Sequence, residues 1–412
     1  MDSMPKILYI SQTGMTEPLG QSQVLQYLFE LSKKNKITLL SFERKTNTQK
    51  YDEVKETLSN VDIEWKHFMY SNRFGLISTI VQFVISIFYT IKKVRSDKIQ
   101  IIHARSFFPG FIALIAKKVA HVNILFDIRG FAIDEKILSG RLQEKSFLTN
   151  VLKSIEKRIY QNSDHIVTLT HASIPIISEK FNIEPGLITV IPTCANPKLF
   201  YRLTRENKED LRKKLGFLND EFIFLRNGSI NESYDIETEF NIFEKLSCLN
   251  QKIKFLFINN NQHAEINSLL KKFPNIEMSA KIISADFDKI SEYIGICDAC
   301  IFFIKPDFSK QASMPTKFAE LIACHVPSVT NSGYGDMEFY LNKYQEIGLL
   351  LDINDIRKDL DKSAQKILKY LDEGMKNTNN LTEKYFNAIF SNYFSVEFAI
   401  NKYQKIYDTL TG

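Results

Sequence analysis

The chain has 412 residues, a formal net charge of +5, and 44% hydrophobic and 25% charged residues, close to the average of soluble globular proteins. That length suggests two or three domains, each able to bury a core without a disulfide or metal staple. Five cysteines, an odd number, exclude a disulfide framework, and reduced thiols are the simpler reading.

The N-terminus runs straight into "KILYIS" (6–11), a buried-strand pattern with no basic region and leader-like apolar segment before it, so no secretory signal is expected. Further strands are predicted at "KITLLSF" (36–42), "VDIEWKHF" (61–68), "IIHARS" (101–106), "ILFDI" (124–128), "HIVTLT" (165–170) and "ITVIPT" (188–193). Helical patterns lie between most of them, which predicts a parallel sheet covered on both faces. Among these, "GLISTIVQFVISIFYTI" (75–91) carries no charge and is followed by "KKVR". It falls short of the roughly 20 apolar residues that span a bilayer. It also holds Ser78, Thr79, Gln82, Ser86 and Thr90. A buried or half-buried helix is predicted, with interfacial membrane contact as the second reading.

A second series follows: "EFIFLRNG" (221–228), "IKFLFINN" (253–260), "IEMSAKII" (276–283), "ACIFFIK" (299–305) and "SVTN" (328–331). Two Rossmann-like domains result, 1–197 and 198–394, joined near "CANPKLFYR" (194–202). The amphipathic "SVEFAINKYQKIY" (395–407) is expected to return, so that 395–412 pack on the first domain. Cys297 and Cys300 form a single CxxC without a second pair and are read as buried positions. "DFD" (286–288) opens a helical segment and is not read as a metal site.

In open α/β sheets, ligands bind beyond the carboxyl ends of strands. The chemistry is therefore sought after residues 11, 106, 128, 228, 283 and 305. In "SMPTKFAELIACHVPSV" (313–329), Thr316 is the expected helix cap and Lys317 lies in the first turn. A cation there opposes the helix dipole, at a few tenths to about 1 kcal/mol, unless an anion sits between them. The alternative, an exposed Lys317–Glu320 pair, is worth only about 0.2–0.5 kcal/mol. Glu320 lies among Phe318, Leu321 and Ile322. A buried carboxylate needs partners, and one facing a cleft can accept hydrogen bonds from sugar hydroxyls.

"PTKFAELIACHVPSV" resembles the donor-binding helix of family-four glycosyltransferases, retaining enzymes of the GT-B fold. "ILYISQTGMTEPLGQSQVLQYLFELSKK", "IIHARSFFPG", "ILFDIRGF", "IEKRIYQNSDHIVTLT", "VIPTCANPKLF" and "LRNGSINESYD" match the family in order, over nearly the whole chain. The resemblance implies an α/β protein with two Rossmann-like domains facing across a cleft. The nucleotide-sugar donor would bind the second domain and the acceptor the first, with no metal or cofactor. In the family's Glu-x7-Glu, the second glutamate contacts the ribose and corresponds to Glu320; the first falls at Ala312 and is absent. His325 stands where the family has a helix-ending glycine.

On this resemblance, Lys317 and Arg226 would balance the departing diphosphate, with Asp127 as a third catalytic candidate. Pro315, Thr316, Gly228, Ser229, Gly20 and Ile283 complete the donor candidates. Read from the residues alone, Gly228–Ser229 is also an ordinary turn, and turn chemistry accounts for Gly20 and Gln21 nearly as well. His103 and Arg105 end one strand, and Asp127 and Arg129 the next. His103, Arg105 and Arg129 are the acceptor candidates; a structural Asp127–Arg129 pair is the alternative. The implied activity moves a hexosyl or related sugar to a glycan or polyprenyl-linked acceptor in bacterial surface polysaccharide synthesis. The setting would be cytoplasmic, with 75–95 as a peripheral contact to the inner membrane and no nucleic-acid partner. A sugar-nucleotide epimerase of the same architecture, and a catalytically silent nucleotide-sugar-binding subunit, are the alternatives.

Overall fold

The computed structural model describes residues 4–44, 48–69, 75–376 and 380–412. The chain divides into two compact units. The first comprises Met1–Thr193, Ser309–Ser313 and Val396–Gly412, and the second Cys194–Phe308 and Met314–Ser395.

In the first unit, seven parallel strands stand in the order β3-β2-β1-β4-β5-β6-β7. They are β1 (Lys6–Ser11), β2 (Lys36–Glu43), β3 (Glu64–Met69), β4 (Ile101–Arg105), β5 (Asn123–Asp127), β6 (His165–Thr168) and β7 (Ile188–Val190). The third starts later than the expected 61–68, because a turn at Asp62 (φ 53°) takes those residues. Side chains alternate across a strand, so Ile102 and Ala104 enter the core with Ile112 and Ala113 of the helix Phe107–Val119. His103 and Arg105 point to the opposite face. The helix Val396–Thr411 belongs to this unit and meets that face through Tyr403 and Tyr407, whose rings lie 5.2 and 5.9 Å from His103.

The uncharged segment forms the helix Gly75–Asp97. The side chains of 75–79 lie outside the described residues. Phe83 stacks on Phe111 and meets Phe108 edge-on, and Ile87, Tyr89 and Ile91 also pack against the core. Ile80, Val81, Val84, Ile85 and Phe88 are exposed. Among the described residues, no helix is long and apolar enough to cross a membrane.

The second unit holds six parallel strands in the order β10-β9-β8-β11-β12-β13. They are β8 (Phe222–Asn227), β9 (Ile253–Ile258), β10 (Ala280–Ile283), β11 (Ala299–Ile301), β12 (Ser328–Asn331) and β13 (Gly348–Leu351). The edge strand β13, "GLLL", was not expected; four residues carry little periodicity. The expected strand 276–283 opens instead with the helical turn Pro274–Glu277, since proline suits a first helical position. The expected strand 299–305 leaves the ladder after Ile301. The N–H groups of Phe303 and Ile304 donate to Glu239 Oε1 and Asn331 Oδ1 instead. Cys297 and Cys300 are buried free thiols, and burial pushes the Cys300 thiol up to about 12.

Both sheets reverse direction of growth once, between β1 and β4 and between β8 and β11. Ligands of doubly wound folds bind beyond the carboxyl ends of such a strand pair.

Candidate active site

In the second unit, the helix Thr316–Ala323 takes Pro315 as its cap, with no side-chain cap bond. Thr316 is thus the first helical residue and not the cap the sequence suggested. Lys317 remains in the first turn. It is buried, its Nζ donates to the carbonyl of Asn227 at the end of β8 (2.7 Å), and the ammonium sits over the rings of Tyr234 and Phe302 (4.6 and 5.0 Å). It has no carboxylate partner among the described residues. The alternative raised for the sequence, an exposed Lys317–Glu320 pair, is therefore not made.

Glu320 is half-buried, and its carboxylate accepts no hydrogen bond from any described residue. Burial pushes its carboxyl up to about 7, and the Lys317 charge offsets only part of this. The reason is local: three helical positions around it, Phe318, Leu321 and Ile322, are core.

Gly228 follows β8 at φ 91°, a left-handed conformation that glycine adopts without strain. A Cβ there would lie 3.7 Å from Lys317 Nζ, so the two share one small space. Arg226 does not present its guanidinium to that space. It pairs with buried Glu239 (3.3 Å) and donates to the carbonyls of Gly228 (2.5 Å) and Ser229 (3.0 Å). Its role is to fix the loop. Asn259, unforeseen in the sequence, donates to the same Gly228 carbonyl (3.0 Å). Ile283 ends β10, two strands from β8. His325 takes the left-handed φ of 57° that its helix-ending position demands, stacking on Phe386.

In the first unit, Gly20 is buried and αR-configured, and a Cβ would lie 2.0 Å from the Gly14 carbonyl oxygen. Its absent side chain admits the 14–15 backbone. Glu43 organises that loop: its carboxylate accepts from the N–H of Met15 (2.7 Å), the N–H and hydroxyl of Thr16, and Ser41 Oγ (2.6 Å). The alternation of β2 places Glu43 on the His103 face, a signal the sequence held but that tertiary contact alone makes meaningful.

Asp127 is almost fully buried. Arg129 donates to its Oδ1 (3.3 Å), Tyr403 to its Oδ2 (3.1 Å), and His103 Nε2 lies 3.5 Å away. Burial favours the neutral acid, but Arg129, His103 and Arg105 outweigh it and hold the carboxyl at about 2. His103 Nδ1 meets the Tyr407 hydroxyl (2.7 Å), and burial lowers its pKa. The tyrosines of the returning helix were invisible as partners in the sequence, because they lie some 300 positions away.

Ala312 is fully buried in the first unit's core. The neighbouring Ser313 donates to Glu135 (3.3 Å), a carboxylate that sequence reasoning did not single out.

The family model described as Glycosyltransferase Family 4 matches residues 22–199. The resemblance to family-four glycosyltransferases holds, and the fold is GT-B. Anabaena Alr3699/HepE, solved with UDP, is 16% identical with a TM-score of 0.72, covering 98% of this chain and 99% of that one; it has also been solved with UDP-glucose. Sucrose-phosphate synthase from Thermosynechococcus elongatus gives 15% identity and a TM-score of 0.72, over 98% and 99% of the two chains. WaaG, a glycosyltransferase involved in lipopolysaccharide biosynthesis, gives 12% and 0.65, over 98% and 100%. No curated protein sequence matches the chain.

Proposed function

We propose that the protein is a retaining glycosyltransferase moving a hexosyl or related group from a UDP-sugar to a glycan or polyprenyl-linked acceptor in bacterial surface polysaccharide synthesis, without a metal ion. The observation that carries this is Glu320. It is an unpartnered carboxyl held near neutral pKa, one helical turn from a buried lysine at an uncapped helix start. A ribose brings hydroxyl donors that the carboxyl lacks, and a diphosphate brings the anion that the first turn lacks. UDP is favoured because HepE was solved with UDP and UDP-glucose. The polysaccharide setting leans on WaaG.

Departure of the sugar leaves negative charge on the diphosphate, and donors already in place for that charge usually supply the largest catalytic term. Lys317 is such a donor, fixed by the Asn227 carbonyl and two aromatic faces. Gly228 opens the backbone to the phosphates, with Pro315, Thr316 and Ser229 around them, and Arg226 acts through the loop it holds. Asp127, tied to Arg129 and Tyr403 with a carboxyl near 2, is a poor base at neutral pH. We assign it to holding Arg129, beside the acceptor candidates His103 and Arg105. The incoming hydroxyl then passes its proton to the diphosphate, as the resemblance implies.

A calorimetric panel of UDP-, GDP- and dTDP-sugars tests the reading. A UDP-sugar should bind, and Glu320→Ala should abolish that binding. Equal binding by the variant, or none by the natural protein, overturns it. The buried Ala312 supports a second reading, a subunit that binds nucleotide without turnover; donor consumption in bacterial lipid extract excludes it. The exposed stripe Ile80, Val81, Val84, Ile85 and Phe88 is proposed as a peripheral membrane contact. Liposome flotation of Ile85→Ser/Phe88→Ser checks this without touching the core residues Phe83 and Ile87; unchanged flotation removes it.

A further inference from the structure

Three charged side chains gather where β4 and β5 end: Arg105, Asp127 and Arg129. Only one is negative. Asp127 is fully occupied by Arg129 and Tyr403, with His103 close by. Burial disfavours the charged form of His103, so it brings no second charge at neutral pH. At the ends of β4 and β5 themselves, two guanidinium groups therefore face one carboxylate, while Glu43, on the same sheet face two strands from β4, spends its oxygens on the 15–16 loop and Ser41.

Arg105 is the unmatched member. It is 7% exposed, yet it makes no hydrogen bond or ion pair with any described residue. Its Nε is sealed from solvent without an acceptor; its terminal nitrogens, equally unpaired, are not sealed. Burial and the neighbouring Arg129 work against its charge, and Tyr9 and the more distant Asp127 carboxylate offset only part of this. A buried guanidinium with no partner is costly, and structures keep such groups only where something answers them. The position points the same way: Arg105 ends β4 and is the register partner of Ser11 at the end of β1, at the strand pair where this sheet reverses.

We propose that Arg105, with Arg129 beside it, seats a phosphoryl oxyanion of the acceptor, so that the acceptor is a sugar phosphate or a polyprenyl-linked phosphate and not a neutral glycan. This rests on the reading that the first unit takes the acceptor. A guanidinium fork matches phosphate through paired N–H donors, and a phosphoryl group has oxygens enough for both arginines, where a carboxylate has two in one plane.

The test uses the full chain with UDP-glucose at saturation, so that the donor phosphate site is filled. Inorganic pyrophosphate and geranyl diphosphate are titrated by calorimetry. Both should bind the natural protein, and Arg105→Gln should weaken them about tenfold or more, the loss expected for hydrogen bonds to a charged group. Tighter binding of geranyl diphosphate assigns a lipid-linked acceptor; equal binding assigns a soluble sugar phosphate. Arg105→Gln and Arg105→Met should melt at or above the natural protein when no anion is present, because an uncompensated charge has been removed. No binding, binding unaffected by Arg105→Gln, or melting well below the natural protein in both variants overturns the proposal. UDP-glucose titration alone reads the donor site: its failure with intact pyrophosphate binding would count against the glycosyltransferase reading and not against Arg105.

Discussion

Replacing Glu320 with glutamine keeps the side chain's shape and removes its charge. In the folded protein the carboxyl titrates at about 7, against an ordinary 4.5. That gap corresponds to at most about 3.4 kcal/mol, at about 1.36 kcal/mol for each tenfold change in the proton equilibrium. The sign follows from a raised carboxyl. Below pH 4.5 both states hold the proton and the group contributes nothing. Between 4.5 and 7 the unfolded chain releases a proton that the folded one keeps, so stability falls with rising pH. Above 7 the full cost is present. Glu320→Gln should therefore match the natural protein at pH 4 and exceed it at pH 8 by up to about 7–14 °C in Tm, since 1 kcal/mol moves a domain of this size by about 2–4 °C. UDP-glucose, whose phosphates do not titrate near neutrality, should bind the natural protein more tightly as pH rises through 7, because ribose hydroxyls donate to the ionised carboxylate. The variant should bind weakly at every pH. Scanning calorimetry from pH 4 to 8.5, with UDP-glucose titrations at the same points, reads both arms. A variant less stable than the natural protein at pH 8, or a stability difference that does not change with pH, would refute the reasoning and make Glu320 a structural residue.

Lys317→Met keeps the stem against Tyr234 and Phe302 while removing the ammonium; turnover should fall about 100- to 1000-fold with Tm shifted by only a few degrees, as donor-consumption kinetics and thermal melts would show. Gly20→Ala drives a methyl into the Gly14 carbonyl at 2.0 Å, and urea titration should find a loss of about 1–3 kcal/mol. Ala312→Glu would restore the family's pattern but place a carboxylate in the first unit's core. We expect a loss of about 3–5 kcal/mol from an uncompensated buried charge, measured by denaturant unfolding, with no gain in turnover.

Much of the architecture was legible because parallel strands buried on both faces write themselves as apolar runs, and helix starts and stops punctuate them. "KILYIS" became β1 over the same residues, Lys6–Ser11. The uncharged 75–91 was read correctly as too short to span a membrane, and His325, standing where the family has a helix-ending glycine, takes the left-handed conformation that glycine would favour. Taking Thr316 as the cap placed Lys317 in the first turn of its helix, where it stands although the cap proved to be Pro315, one residue earlier. Short elements escaped, as with β13, since four residues show no periodicity.

Partners were another matter. Arg226 and Lys317 look alike in sequence, yet one is consumed by Glu239 and two loop carbonyls while the other keeps its charge unmatched. Arg105 and Arg129 are likewise indistinguishable by spacing; only the contact with Asp127, itself pinned by a tyrosine 276 positions away, shows which arginine is satisfied. Ala312 read as a gap in a motif, and only its burial in the first unit's core shows that no carboxylate fits there. Periodicity and local chemistry act over neighbouring residues, so sequence determines elements, helix starts and candidate charges. Whether a charge is paired depends on what the folded chain brings beside it, and that is decided by tertiary structure alone.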